Sequence, residues 1–364
     1  MGARDFKTAM TATGEVTHEE LLQRLQVLAE RAVKRFGLPD GAPVKLINVS
    51  ENATYRVEDG LGRTWALRVH REGYHSRTAI ASELAWLSAL RDTGGVATPT
   101  AVRGLDGEYI QTVAGEGLPN PRNVVLFDWE SGAEPERTDV AGFELLGETA
   151  ARMHAHVRRW QRPAWFERHS WDFETSLGNR PHWGYWKNGM GMTAEAMEAF
   201  SETVATISQR LEAFGKTPDR FNLVHGDMRL ANLLMDGSTV KVIDFDDCGF
   251  SWLLYDCATT VSFFEHTPEV PELLKAWVRG YRRIGKLSAE EENEIPTFVM
   301  LRRLLLVAWI GSHSETELAQ SMGVSYTRES VPLCAAYLSR YGTVTRRATP
   351  VQMPKKGILQ RLFG

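Results

Sequence analysis

The chain has few cysteines and no excess of basic residues. Its 364 residues include only Cys248, Cys257 and Cys334, and none of them forms a Cys-x-x-Cys pair. Three unpaired cysteines argue against a disulfide framework or a zinc site, and they fit a protein of the reducing cytosol. Lys and Arg together number 42 against 46 Asp and Glu, giving a net charge of -4. Because nucleic-acid binding usually needs a basic surface, we expect no nucleic-acid partner.

Long apolar runs are also missing. Residues 1–14 contain no apolar run of signal-peptide length. The longest apolar stretch, Phe298–Ile310, is interrupted by Arg302 and Arg303 and is short for a bilayer span. The overall composition, 43% hydrophobic and 24% charged, is that of a globular protein. We therefore expect a cytoplasmic protein without a membrane partner.

The first third of the chain is predicted to be mainly antiparallel sheet. A capping box at Thr17 and Glu20 begins a helix that extends to about Phe36. A second helix, with one apolar stripe, is predicted from Ser76 to Arg91. Segments rich in β-branched and aromatic residues surround that helix and indicate strands. These strands are Val44–Val49, Ala53–Glu58, Arg63–His70, Glu108–Val113 and Asn123–Asp128.

A polar break at Ser131–Pro135 divides the chain into two predicted lobes. After it, helices are predicted at 138–157, 193–214, 254–264, 270–284, 288–310 and 328–341, with short strands at Leu223–His225 and Val240–Phe245. The predicted parts are a flexible leader (1–14), an N-terminal lobe (15–130), a C-terminal lobe (131–343) and a basic tail (344–364). The expected fold class is α+β, with a cleft between the lobes where small molecules tend to bind.

The strongest chemical signal lies in the C-terminal lobe. A His-Gly-Asp tripeptide ends at Asp227, Asn232 follows five positions later, and Asp244 follows the next apolar run. The runs Leu233–Met235 and Val240–Ile243 predict a hairpin that returns Asp244 to the side of Asn232. Phosphoryl transfer needs an anionic base near the acceptor hydroxyl and oxygen ligands for magnesium. Protein kinases meet this need with an Asp, an Asn five positions later and a second Asp on a following turn. The similar spacing here therefore predicts a phosphotransferase site.

These residues resemble the Brenner motif of the aminoglycoside phosphotransferase / choline kinase superfamily, His-Gly-Asp-x-x-x-x-Asn followed by Ile-Asp-[Phe/Trp]. The resemblance extends over about residues 40–310. It implies a bilobal protein-kinase-like fold and the use of ATP and Mg²⁺. It also implies that Asp227 is the catalytic base, that Asn232 and Asp244 bind magnesium, and that His225 holds the loop.

Two further residues in this region have predicted roles. Arg229 lies two positions after Asp227, where protein kinases often have a Lys that contacts the transferred phosphate. A cation there would stabilise charge in the transition state, so Arg229 is a second candidate catalytic residue. Asp256 resembles an Asp of the superfamily that begins the next helix. We expect it to cap that helix and to brace the catalytic loop.

The N-terminal lobe supplies the candidate nucleotide-binding residues. Asn52 lies in a turn that resembles the superfamily's phosphate-covering loop. Arg68 occupies the Lys position of a Val-Ala-Ile-Lys pattern, and Glu83 on the next helix is its expected ion-pair partner. The backbone groups of Phe127 and Trp129 are placed at the adenine edge. Because Arg and Lys are not equivalent, a non-catalytic nucleotide-binding protein stays open as an alternative.

The acceptor is less well defined by the sequence. Trp160, Trp165, Trp171, Trp183 and Trp186 either form a cation–π cage or pack a loop-rich insertion, and we favour packing. Between Gln161 and Glu212 there are seven acidic and five basic residues, which gives no support to a polycationic acceptor. The preferred function is a kinase of a small-molecule hydroxyl, with an amino alcohol, homoserine-like or sugar-like acceptor. A protein Ser/Thr kinase of the same fold is the alternative enzyme. The sequence does not indicate an oligomeric state.

Overall fold

The computed structural model describes residues 17–342 and the backbone of two short strands before them. These strands, β1 (Met10–Thr11) and β2 (Gly14–Glu15), pair antiparallel within or beside the predicted leader. The rest of the leader and the predicted basic tail, 344–364, lie outside the described residues.

The N-terminal lobe is a six-stranded antiparallel sheet with two helices. Its first helix begins at the predicted capping box, in which Thr17 and Glu20 each bond the other's backbone N–H. The strand order is β3-β4-β5-β8-β6, and β7 pairs with β8. The elements are α1 (His18–Ala32), β3 (Val44–Val49), β4 (Ala53–Glu58), β5 (Thr64–Val69), α2 (Arg77–Ala89), β6 (Ala101–Val102), β7 (Ile110–Val113) and β8 (Arg122–Asp128).

The C-terminal lobe is mainly helical, with two small antiparallel strand pairs, β10–β11 and β9–β12. Short 3₁₀ turns at Leu230–Asn232 and Phe245–Asp247 flank the β10–β11 hairpin. The elements are α3 (Val140–Val157), α4 (Phe173–Ser176), α5 (Ala194–Phe214), β9 (Phe221–Val224), β10 (Leu233–Asp236), β11 (Thr239–Val242), β12 (Gly249–Trp252), α6 (Leu254–Thr259), α7 (Val270–Ile284), α8 (Ala289–Ser312) and α9 (Glu317–Tyr341).

Two predicted helix boundaries are wrong, and both errors have a backbone cause. The helix predicted from residue 254 to 264 ends at Thr259, before Phe263 adopts a φ of 74°. The last helix begins at Glu317 instead of residue 328 and is kinked at Gly323, where φ is 48° and ψ is -147°. Since glycine tolerates this conformation, the chain bends there without a separating loop. The strands β6 and β12 were not predicted.

Among residues 17–342, α8 is the one helix long and apolar enough to cross a membrane. However, 78% of its most apolar window is buried inside the protein. Its two arginines are buried as well, and Arg303 forms a 2.7 Å ion pair with Glu265. These contacts are those of a core helix in the C-terminal lobe.

The strand β8 connects the two hydrophobic cores of the protein. Val124 and Leu126 belong to the core of the N-terminal lobe, whereas Val125 and Phe127 belong to the larger core. This division follows from the strand period, because successive side chains point to opposite faces of a sheet. The inner face of α2 also packs into the larger core. A cleft between the lobes therefore has one wall from the sheet and the other from the catalytic-loop region.

Candidate active site

A cavity of about 1010 Å³ occupies this cleft. Every residue that the sequence predicted for the site lines it, although the residues come from both lobes. They are Asn52, Arg68, Glu83, Phe127, Trp129, Asp227, Arg229, Asn232 and Asp244. The fold thus brings together the predicted base, metal ligands and nucleotide-binding residues.

The catalytic loop is held by hydrogen bonds on both sides of Asp227. The imidazole of His225 accepts from the Asp227 N–H through Nδ1 at 3.1 Å, so its Nε2 donates to the Ile243 carbonyl at 3.0 Å. The buried carboxylate of Asp256 accepts from the N–H groups of His225 (3.1 Å) and Gly226 (2.8 Å). The predicted brace by Asp256 is confirmed. The predicted helix cap is wrong, because Asp256 lies inside α6 and its side chain is turned toward the loop.

Asp227 is surrounded by hydrogen-bond donors. Its Oδ1 accepts from Arg302, and its Oδ2 accepts from Arg229 Nε at 3.2 Å and from Asn232 Nδ2 at 2.8 Å. Burial by itself raises the pKa of Asp227, but Arg302 and Arg229 outweigh this effect and hold that pKa below its ordinary value. Asp227 is therefore ionised at neutral pH, as a group that orients a hydroxyl and accepts its proton must be.

The hairpin β10–β11 places Asn232 and Asp244 side by side. Leu233 pairs with Val242, and the Ile243 N–H bonds the Asn232 carbonyl at 2.9 Å, so the two side chains lie at the open end of the hairpin. Asp244 has a φ of 59°, a left-handed conformation that turns its carboxylate into the cleft. The predicted hairpin and the approach of these two side chains are confirmed.

The oxygens of Asn232 and Asp244 fit a magnesium ion. Asn232 uses its amide nitrogen on Asp227, which leaves its Oδ1 as a ligand. Burial raises the pKa of Asp244. Arg68 lowers this pKa, whereas the nearby carboxylates of Asp246 and Asp227 raise it further. Within residues 17–342, no group of three or more His, Cys, Asp or Glu residues is arranged to hold a metal ion. A pair of oxygen ligands suits Mg²⁺, which takes its other ligands from phosphates and water.

Arg68 connects both lobes across the cleft. Its guanidinium donates to Glu83 Oε1 at 2.6 Å and to Asp244 Oδ1 at 2.9 Å. It also lies over the Phe127 ring, 5.1 Å from the centroid. Burial alone lowers the pKa of Arg68, but the carboxylates raise it above its ordinary value, so Arg68 stays charged. The predicted Arg68–Glu83 ion pair is confirmed.

The other predicted nucleotide-binding residues lie along the same wall. Asn52 Oδ1 accepts from the Arg71 N–H at 3.0 Å and so joins the β3–β4 loop to the end of β5. Phe127 lies between Ala66 and Ala101 in the strand register, whereas Trp129 lies beyond the end of β8. The adenine contacts of Phe127 and Trp129 stay a prediction.

Several side chains that sequence reasoning left open, or missed, also line the cavity. The sequence alone does not define a role for Asp247; in the structure its carboxylate accepts a hydrogen bond from Tyr74. Of the five tryptophans in the insertion, Trp183 lines the cavity, while Trp171 and Trp186 are buried and Trp165 is 51% exposed. Arg302 was noted only as one of two arginines that interrupt an apolar stretch, and a charge in such a stretch was the available signal for a functional role.

Comparisons with known proteins agree with this geometry. The sequence pattern of the phosphotransferase enzyme family matches residues 44–292. The chain belongs to this family. It is 24% identical over 306 residues to the amicoumacin kinase of Bacillus subtilis (strain 168), covering 80% of this chain and 84% of that protein. The sequence resemblance is confirmed.

Solved structures extend the comparison. A microcompartment-associated aminopropanol kinase is 44% identical, with a TM-score of 0.81, and the match covers 87% of this chain and 98% of that one. An amicoumacin kinase solved with AMP-PNP and Ca²⁺ has 18% identity and a TM-score of 0.70, covering 87% of this chain and 96% of that one. The predicted α+β, kinase-like fold is confirmed, and the chain is a kinase.

Proposed function

We propose that this kinase transfers the γ-phosphate of Mg-ATP to the hydroxyl of a small amino alcohol. The observation that carries the proposal is the convergence of Asp227, Asn232, Asp244 and Arg68 on one cavity whose far end is acidic and aromatic. The aminopropanol kinase, which shares 44% identity with this chain, supports an acceptor of this kind. Sugar-like and homoserine-like acceptors have no comparable support.

The chain's own residues account for the chemical step. Asp227 orients the acceptor hydroxyl and takes its proton while the new O–P bond forms and the bond from the γ-phosphorus to ADP breaks. Arg68, held by Glu83, binds the phosphates, and Arg229, which is paired with Asp227, stabilises charge on the transferred group. Bound Mg²⁺, held by Asn232 and Asp244, would neutralise phosphate charge.

The two alternatives from the sequence receive less support. The acceptor end of the cavity is bordered by Trp183, Phe263 and Trp309, which favours a small acceptor over a protein side chain. Arg68 pairs with both Glu83 and Asp244, so the cation role is filled although Lys is replaced. This argues against a non-catalytic nucleotide-binding protein.

The test is ATP-dependent ADP release with a panel of acceptors: aminopropanol, ethanolamine, choline, homoserine, a hexose and a denatured protein. We expect turnover with aminopropanol or ethanolamine and its loss in Asp227→Asn. The variant should still be stabilised thermally by ADP, which shows that it is folded. Transfer to the protein alone would support the Ser/Thr kinase instead, and nucleotide binding without transfer to any acceptor would refute the proposal.

A further inference from the structure

The acceptor end of the cavity has a composition that suits a cation. Four carboxylates reach it: Glu51 from the β3–β4 loop, Asp227 from the catalytic loop, Asp247 from the turn after β11, and Glu315 from the turn between α8 and α9. Glu315 lies near Arg71 and His313 and interacts electrostatically with both. The earlier count of acidic residues between 161 and 212 missed all of them, because none lies in that segment. The question is which carboxylate is available to a ligand.

Asp227 and Glu51 are both engaged within the protein. Asp227 accepts hydrogen bonds on both oxygens, from Arg302 on one and from Arg229 on the other. Glu51 accepts from the Trp309 indole at 2.8 Å, and His313 lies 3.5 Å from the same oxygen. Arg71 is a nearby cation that also interacts electrostatically with Glu51. Neither group is the best candidate for a ligand cation.

Asp247 is oriented by a hydrogen bond and forms no ion pair among the described residues. Its Oδ1 accepts from Tyr74 at 2.7 Å, and the Tyr74 hydroxyl in turn accepts from the Trp183 indole at 3.2 Å. Among the described residues, its Oδ2 has neither a hydrogen-bond nor an ion-pair partner, although the residue is only 9% exposed. The nearby Arg168 is directed to the carbonyls of Cys248 and Asp246. An uncompensated buried carboxylate is costly unless a cation joins it.

The electrostatics of Asp247 point the same way. Burial raises the pKa of Asp247 well above its ordinary value, and Glu51, Asp227 and Asp246 raise it further. Arg302 and Arg168 also act on Asp247 electrostatically, but neither forms an ion pair with it, so its ionised form gains from a cation placed beside it. A ligand ammonium would supply that charge. The Asp247 carboxylate would in return replace the water that the ammonium loses on entering the cavity.

Aromatic rings complete this end of the cavity. Trp183, Phe263 and Trp309 line it, and the Phe263 and Trp309 rings are 6.3 Å apart. Phe263 keeps a left-handed φ of 74°, a costly conformation that tends to persist at functional positions. Aromatic faces attract ammonium groups, and their bulk limits the size of the acceptor.

The position of Asp247 relative to Asp227 fits a short acceptor. A Cβ built on Gly226, the residue before Asp227, would lie 2.8 Å from the Asp247 carbonyl, so the turn is pressed against the catalytic loop. The geometry points to Asp247 as the residue that binds the ammonium group of the acceptor, while Asp227 receives its hydroxyl. This assignment rests on the proposed amino-alcohol kinase activity and names the residue that would select amines.

The test compares an amine with its neutral analogue. The kcat/KM of the full-length protein is measured for aminopropanol and for the corresponding propanediol, in which a hydroxyl replaces the amine. Loss of one partner from a desolvated charge pair lowers affinity by at least about 30-fold. We therefore expect Asp247→Asn to lower the amine preference by about 30-fold or more, mostly through KM, with the diol little affected.

Two further variants keep the test decisive. Glu317→Gln removes a carboxylate from the cavity rim and serves as the matched control with unchanged preference. Tyr74→Phe keeps the Asp247 charge but removes its orienting bond, so it should raise the amine KM by about 3- to 10-fold, as for one hydrogen bond. Stabilisation by ADP reports folding of each variant.

Each result has a distinct meaning. Suppose that the wild type turns over amines and that Asp247→Asn and Tyr74→Phe keep the same amine preference. This result would overturn the assignment but leave the kinase proposal standing. If Asp247→Asn does not fold, an unchanged preference in Tyr74→Phe overturns it, and a reduced one supports it. Absence of turnover with every amino alcohol would refute the proposed function and the assignment together.

Discussion

The buried guanidinium of Arg302 is expected to set the pH range in which the kinase works. Arg302 is 1% exposed and lies in α8, remote in sequence from the catalytic loop. Its Nε donates to Ser262 at 3.0 Å and its Nη1 to Tyr255 at 3.3 Å, while its Nη2 bonds Asp227. It lies 5.4 Å from the centroid of the Trp183 ring. Three hydrogen bonds therefore fix its charge beside the proposed base, so Arg302 is a positioning residue.

The substitution Arg302→Met removes this charge but keeps most of the side-chain volume. Burial raises the pKa of Asp227, and Arg302 is the first of the cations that lower it. An adjacent Arg lowers the pKa of an Asp by about 1–3 units, and Arg229 stays in place. The pKa of Asp227 in the variant should therefore rise by about that amount or less.

The sign of the effect follows from the role of Asp227. Because its pKa is depressed in the wild type, the ionised base persists as the pH falls below the ordinary range of a carboxyl group. In Arg302→Met, Asp227 is protonated at a higher pH, so the acidic limb of kcat/KM should move upward. The assay is kcat/KM as a function of pH, with ADP-induced thermal stabilisation to show folding at each pH.

Arg303→Met is the matched control. Arg303 is also buried in α8, but it pairs with Glu265 at 2.7 Å and does not contact Asp227. It should destabilise the fold as Arg302→Met does, since breaking a buried pair costs about 3–5 kcal/mol, but without moving the acidic limb. An acidic limb that is unchanged in Arg302→Met, or that moves equally in both variants, would refute the reasoning.

Three other predictions concern the cavity and the loop that carries Asp227. Asp227→Asn should lower kcat by about 10²–10⁴-fold and leave the ADP dissociation constant within about 2-fold, measured by turnover and calorimetry; an unchanged kcat would contradict its role as base. Glu83→Gln weakens the support of Arg68 and should raise the KM for ATP more than that for the acceptor, measured by initial rates; equal changes would argue against phosphate binding by Arg68. Asp256→Ala leaves two loop N–H groups without their acceptor and should lower the free energy of unfolding by about 2–4 kcal/mol in urea titrations, and a loss below 1 kcal/mol would contradict the brace.

The ion pairs of Arg68 also suggest how the lobes communicate. The guanidinium of Arg68, on β5, contacts both Glu83 on α2 and Asp244 in the C-terminal lobe. A nucleotide phosphate that competes for Arg68 would loosen its bond to Asp244 and release a carboxylate oxygen for magnesium. Nucleotide and metal binding are then expected to be coupled, because both draw on the same charged group.

Local spacing was enough to predict the catalytic motif. Asp227, Asn232 and Asp244 lie within one loop and one hairpin, so their approach depends on short-range turns and on the register of β10 with β11. Glu83 was predicted as the partner of Arg68 because it lies 15 positions later, on the helix that follows the strand of Arg68. Strand alternation and capping boxes predicted most helices and strands in the same way.

The acceptor end depended on tertiary structure. Arg302 meets Asp227 across 75 positions, and Trp309 meets Glu51 across 258. No periodicity or motif connects residues at such distances, so neither contact had a signal in the sequence. The sequence alone determined the family and the fold class and pointed to the residues proposed for phosphate transfer, because these follow from local patterns and a short motif. The packing of α8, of the β3–β4 loop and of the turn after β11 decided which charges line the proposed acceptor end of the cavity, since only the folded chain brings those elements together.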